Sequence, residues 1–518
     1  MTNRTISFAL TIAVGIIPAV AFAETGWTVD SQEEWQAASA EQSNLSVEDG
    51  LASPTAKKAT FRSSLQTFEK KRSASTITIN QSPGWHHWEP VGQIGPNTVR
   101  DAPVALRKGP DDYWLFGRYR AAKNFKPGAP AELEGFDVPL LNTKDPHLFL
   151  APGALKKNGG GYYGWQSRDM VNWVFHGAVT PPHAGCVTTA ELVDGKVYFY
   201  YDFPNDQDPH LVIDSDLTDG IPGEDLGMAF ADPSHGSDCA VIRDLEGNFH
   251  LILEDWSPID ASTHAWDSPL AMHAVSQDGK GDFKILAPPV DERTKPTGKF
   301  GEYFHPHWHM GPRSNEFPTK VVAEASPQHR LKPGDKRAFA KYEIHQPEQN
   351  AYGDWAAISI GGQYYLFADF DPKDGHGKNA MSVGWFTSSS LDEQFTFCGN
   401  IGKGHPDPDI IFADGKFYLI TQTKEDFVSS GPWVPGVEVR VGVDTTNDDT
   451  INQWTDWEEV SETYSGIPGF AKQVAKAPAQ LDLSSLPEGY GFQFELKISG
   501  SGDGAVPILD QVSVNFSE

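Results

Sequence analysis

A chain of 518 residues with 41 basic and 70 acidic side chains carries a formal charge of −29, which disfavours nucleic acid and anionic membranes as partners. Its three cysteines, Cys186, Cys239 and Cys398, allow at most one disulfide and form neither a CxxC pair nor a zinc-binding spacing, so the fold must rest on its apolar core. The length is ample for such a core and, by size alone, for two or three domains.

Residues 1–23 read as a cleaved secretory signal, with a charged start at Arg4, an apolar run from Ile6 to Ala21, and Ala21-Phe22-Ala23 ahead of Glu24. The expectation is a secreted or periplasmic protein with no membrane partner once the signal is removed. No later segment is long and apolar enough to span a bilayer as a helix. Residues 24–83 are polar and rich in Ser, Ala, Gln and Lys, with a weakly helical look near Gln32 to Gln42, and are expected to form a leader or cap.

From 84 to about 460 short strand-like segments dominate, bounded by Gly, Pro and Asp. One unit recurs: an acidic residue, an apolar strand, a Gly-containing turn and an aromatic strand. It is seen from Asp101 to Gly117, Lys144 to Gly177, Val187 to Tyr201, Asp238 to Leu253, Asp354 to Phe367 and Asp407 to Ile420. Six such signals predict an all-β fold, a β-propeller of five to seven blades, in which first strands crowd around an axis and project their starting residues into one pocket. The same pattern is open to a β-sandwich with fortuitous Asp residues. A long insertion, 286–350, holds the run His305-Pro306-His307-Trp308-His309, and residues 461–518 end in strands expected to close the ring or form a small appended sheet.

Asp145-Pro146-His147-Leu148-Phe149, followed by Ser167-Arg168-Asp169-Met170-Val171-Asn172-Trp173 and Gly177, resembles the blade pattern of the furanosidase-type propeller glycosidases, glycoside hydrolase families 43 and 32 and their relatives. Asp101-Ala102-Pro103, and Glu191 ahead of Asp194-Gly195-Lys196-Val197-Tyr198, fit the neighbouring blades. The resemblance implies three catalytic carboxylates: Asp101 as base or nucleophile, Asp145 as the orienting group, and Glu191 as proton donor. Cleaving a glycosidic bond needs one protonated carboxyl beside the leaving oxygen and one ionised carboxylate across the ring, with further negative charge to raise the acid's pKa. His147, Asp238, His305, His307, Asp354 and Asp407 are the candidate substrate-binding residues, and Asp407 with Asp409 competes with Asp101 for the base role.

No cofactor is required for this chemistry. His305, His307 and His309 would share one face of a strand, which leaves metal binding and sugar contact both open. The oxygens of Asp444 to Asp449 resemble a calcium loop without the glycine at its sharp turn, so structural calcium competes there with a plain acidic hairpin. The expected substrate is a plant or algal polysaccharide or its oligosaccharides. Two other functions are kept: a propeller polysaccharide lyase using His and Tyr on a uronate, and a carbohydrate-binding propeller without catalysis.

Overall fold

In the computed structural model the structure describes residues 26–82, 85, 87–95, 99–119, 161–203, 208–231, 238–255, 270–292, 350–373, 381–404, 406–422, 425–500 and 505–517, without the side chains of residues 100, 101 and 119. The chain divides into two compact units, one of Pro83–Val434 with Glu462–Pro478 and one of Met1–Ser82, Pro435–Ser461 and Ala479–Glu518.

The larger unit is a five-bladed β-propeller. Blade 1 runs outward through Val99–Gly109, Asp112–Tyr119, Tyr163–Ser167 and Trp173–Ala178, and blade 2 through Val187–Val193, Lys196–Asp202, Pro209–Asp214 and Glu224–Met228. Blade 3 holds Ala240–Arg243, Phe249–Glu254 and Leu270–Ser276, flanked by two short strands, and blade 4 holds Ala351–Ile360, Gln363–Asp371, Ser382–Ser388 and Thr396–Ile401. Blade 5 takes Asp409–Ala413, Lys416–Ile420 and Asp426–Ser429 from late in the chain and its outermost strand, Glu89–Gly92, from before blade 1. This last pairing fastens the two ends of the ring.

The sequence explains the repetition. Inner strands are apolar at successive positions, and alternate side chains face opposite neighbours. Ile410 and Phe412 pack with blade 4, whereas Ile411 and Ala413 pack with blade 1. Five such clusters, one between each pair of adjacent blades, make the core. Tight turns join the first two strands where two consecutive residues take positive φ, at Asp194-Gly195, Gly361-Gly362 and Asp414-Gly415.

Two sequence expectations are revised. The element at 144–177 is not a separate blade: its Tyr163–Ser167 and Trp173–Ala178 strands are the outer half of blade 1, and its expected first strand lies outside the described residues. The blade count is therefore five. Residues 462–478 also belong to the propeller, where Gln473–Ala477 pairs in parallel with the inner strand of blade 4.

The smaller unit contains one twelve-stranded sheet array folded into two groups that share the sixteen-residue strand Gln66–Gln81. Its first half pairs with Gly489–Ser499, its second half with Leu509–Ser517 and Ala479–Asp482. Rings from the two groups meet between them, Trp27 on Phe494 at 5.0 Å and Phe492 on Phe516 at 5.1 Å. Residues 26–82 are thus largely strands of this unit, and the helical look resolves to one capped helix, Gln32–Ala38, whose N-cap Ser31 and Glu34 bond reciprocally.

Within the propeller, Lys472 is buried and its ammonium lies 2.7 Å from Asp409 Oδ1, with the carbonyls of Ala105 and Ile410 completing its bonds. Lys472→Met leaves a buried carboxylate without its cation and is expected to cost about 3–5 kcal/mol in denaturant melts. Adding Asp409→Asn should recover part of the loss, and a Lys472→Met protein as stable as the parent would contradict this packing.

Candidate active site

All five inner strands begin at one end of the propeller axis, where they line a small pocket with Ala102 and Pro103 of blade 1, Thr188 of blade 2, Asp238 of blade 3, Asp354 and Trp355 of blade 4, and Asp407 and Pro408 of blade 5. The strands contact one another in cyclic order, which is what makes the starts converge. Each of the first, second and fourth inner strands slips register here, between Arg100 and Val104, Val187 and Thr189, and Gly353 and Ala356. Such bulges free residues from the ladder and re-aim their side chains.

Asp238, Asp354 and Asp407 share a further feature, a left-handed backbone with φ of 50°, 50° and 41°. This conformation is unfavourable for residues with a Cβ but tolerated by Asp, and its repetition in three consecutive blades gives the three side chains equivalent positions. Behind them lies a second tier of carboxylates from the ends of the second strands: Asp202, Glu254 and Asp369, each 2% exposed or less. The tiers are stitched across blades. Asp238 donates its N–H to Asp202 Oδ2 (3.1 Å), and Asp407 donates its N–H to Asp369 Oδ1 (2.9 Å). Gln422 donates its amide to Asp407 Oδ2, and Trp355 donates its N–H to the Asp238 carbonyl (3.1 Å).

The electrostatic result falls on Asp354. Burial, and then the charges of Asp238, Asp407, Asp369 and Glu254, push its carboxyl well above the usual range. Asp354, Asp369 and Asp407 each present a carboxylate oxygen, all within 4.8 Å of one another. Three ionised groups at that spacing repel strongly, so the cluster favours holding a proton, or a cation that these oxygens could ligate. Among the described residues no other group of this kind is found. Asp444 spends its carboxylate on the backbone N–H groups of Thr446, Asn447 and Asp449 in a hairpin turn.

The structure brings together three of the sequence-derived residues, Asp238, Asp354 and Asp407. Asp101 lies on the inner strand of blade 1, next to the pocket-lining Ala102 and Pro103. Asp145, His147, His305 and His307 lie outside the described residues. The ends of the long insertion are pinned together, since Glu292 accepts bonds from Asn350 Nδ2 (3.0 Å) and Tyr352 Oη (2.6 Å). Glu191, expected as the proton donor, does not line the pocket. It is fully buried in mid-strand, and its Oε1 accepts from the N–H of Leu192 (2.9 Å) and of Ala471 (2.8 Å).

The second tier went unrecognised in the sequence. Its signal is an acidic residue at or near the end of the second strand in blades 2, 3 and 4, as in Tyr200-Tyr201-Asp202, Leu253-Glu254 and Phe367-Ala368-Asp369.

The fold and pocket define a five-bladed propeller with an acidic axial site. No protein-family model matches the chain, and neither does any curated protein. Solved structures that it resembles include a thermostable family-43 glycoside hydrolase, at 11% identity over 73% of this chain and 97% of that one, with a TM-score of 0.36. An exo-β-1,3-galactanase from Phanerochaete chrysosporium is similar at 10% identity, covering 85% and 100%, TM-score 0.35. A family 43 arabinoxylan arabinofuranohydrolase from Bacillus subtilis is similar at 12% identity, covering 81% and 96%, TM-score 0.34. Likenesses this distant decide nothing about activity.

Glu191 offers a separate test of the placement. Burial pushes its carboxyl up to about 7, against the two backbone N–H bonds and the charges of Lys472 and Arg243, and its Oε2 has no hydrogen-bond partner. Because the folded-state value is raised, the unfolded chain releases this proton first, and stability falls as pH rises from about 4.5 towards 7. Glu191→Gln, which keeps an acceptor for both N–H groups, should match the parent's melting temperature at pH 4 and exceed it at pH 8, by on the order of 3 kcal/mol in stability. A variant with the parent's pH dependence would contradict the buried, protonated Glu191.

Proposed function

We propose that the protein is an exported glycoside hydrolase acting on a plant or algal polysaccharide or its oligosaccharides at the axial pocket, with Asp354 as proton donor. The observation that carries this reading is the crowding of carboxylates around Asp354. A carboxyl whose hold on its proton is strengthened by burial and by neighbouring carboxylates is suited to the acid half of glycosidic bond cleavage. Asp407 and Asp369 each place an oxygen within 4.8 Å of one on Asp354, whereas acid and base act from opposite sides of the sugar, roughly 6.5–9.5 Å apart in inverting enzymes and about 5–5.5 Å in retaining ones. Their part is to hold the proton on Asp354.

The ionised partner is then drawn from Asp238, which lines the pocket from blade 3, and Asp101, on the inner strand of blade 1. Export is supported by the signal-like pattern of residues 1–23. β-Elimination would call instead on His or Tyr with Arg, and the products of the two reactions tell them apart.

The test is release of reducing ends from a panel of arabinans, xylans, galactans and uronate-containing glycans. The expected result is hydrolysis of at least one, without the near-ultraviolet absorbance of unsaturated products. Asp354→Asn should lower kcat by about 10³-fold on natural linkages and much less on aryl glycosides whose leaving group needs no proton. Glu191→Gln should keep near-parental kcat. For the parent, kcat should fall with rising pH as Asp354 ionises. Of Asp101→Asn and Asp238→Asn, the one that removes the acidic limb of the pH profile marks the base. Unsaturated products, or full turnover by Asp354→Asn on natural linkages, would overturn the assignment.

A further inference from the structure

The smaller unit carries a cleft of about 860 Å³, opening where the first half of Gln66–Gln81 parts from the strand Gly26–Val29 and the end of the helix Gln32–Ala38. That volume is in the range of small-molecule sites, and its lining combines aromatic rings with a few polar groups. A register slip builds it. Gly489 pairs with Arg72 but Gly491 already pairs with Thr67, so the segment from Phe68 to Lys71 bulges out of the ladder, and Phe68 within it and Arg72 just after it line the cleft.

The side chains there are held for display. Trp27 is half-buried, its ring braced at 5.0 Å against fully buried Phe494. The Arg72 guanidinium lies 4.7 Å from the Phe68 ring centre and 5.9 Å from that of Phe516, which fixes its plane. Asn515 donates its Nδ2 to Thr76 Oγ1 (3.1 Å), which orients its carbonyl oxygen. Thr28, Ser64 and Glu34 are committed elsewhere, to Ser513, to the carbonyls of Ala37 and Ala38, and to the N-cap backbone.

We infer that this cleft binds a carbohydrate chain, independently of the propeller pocket. The chemistry selects that class. One Arg against one Glu does not make a polyanion site, and amide, guanidinium and backbone groups between the rings are too polar for a lipid. An indole face with planar hydrogen-bonding side chains beside it suits a ligand with apolar C–H faces and hydroxyl edges. The inference rests on the glycan-directed reading above only for the choice of ligands to try.

The experiment is affinity gel electrophoresis of the full chain carrying Asp354→Asn, with soluble arabinan, xylan, galactan or polygalacturonate in the gel. Retardation by at least one polymer is expected. Trp27→Ala in the same background should weaken it at least tenfold, and Gln66→Ala, on the cleft-lining strand, severalfold. The Gln66→Ala variant decides the matter should loss of Trp27 unfold the smaller unit. In the Asp354-intact chain, Trp27→Ala should leave hydrolysis of an aryl glycoside unchanged. Retardation indifferent to both substitutions, or none by any polymer that the parent cleaves, would overturn the cleft and leave the hydrolase reading standing. Retardation by a polymer that the parent does not cleave would support the cleft alone.

Discussion

Mutual repulsion of carboxylates crowded at the propeller axis is the constraint on which the functional account turns. Asp238, Asp354 and Asp407 line the pocket, next to the buried carboxylates of Asp202, Glu254 and Asp369. A soluble domain gains nothing in stability from such an arrangement, because each buried charge must be offset by hydrogen bonds or by retaining a proton. The bonds from the N–H groups of Asp238 and Asp407 and from the Gln422 amide offset part of the cost, and the crowding pushes the Asp354 carboxyl well above the usual range. Strain of this kind concentrates where chemistry is done.

The ring makes the crowding possible. Each blade is apolar on both faces and can be buried only between two others, so closing the ring through Glu89–Gly92 forces five strand starts to a common point. At the level of Glu191 and Asp409 the interior is filled instead: Lys472 reaches Asp409, and Ala471 reaches Glu191. A carboxylate two or three residues further along an inner strand therefore meets backbone and a buried ammonium rather than the pocket.

This difference marks what the sequence could convey. The Asp-then-apolar-strand pattern with its Asp-Gly turns was enough for the fold and for the grouping of Asp238, Asp354 and Asp407, because these are local signals repeated in each blade. Its apolar strand makes Glu191 look like an inward acid, yet its partner Ala471 is 280 positions away and donates through its backbone, which no side-chain pattern reveals. The sixth signal, from Lys144 to Gly177, shares the acid, Gly turn and aromatic strand of the other five, but its Tyr163–Ser167 and Trp173–Ala178 strands are outer strands of blade 1. Residues 26–82 looked like a loose cap because strands such as Lys58–Ser63 expose every second residue, and their partners, such as Glu495 for Arg62, come from the far end of the chain.

The most direct measurement is the infrared difference spectrum between the parent and Asp354→Asn at pH 7, read in the carbonyl band of protonated carboxylic acids. The account predicts a band in the parent that the substitution removes and that fades as pH is raised in step with activity. An identical band in both proteins, or none in either, would mean that Asp354 is ionised and that the axial carboxylates do not supply the acid.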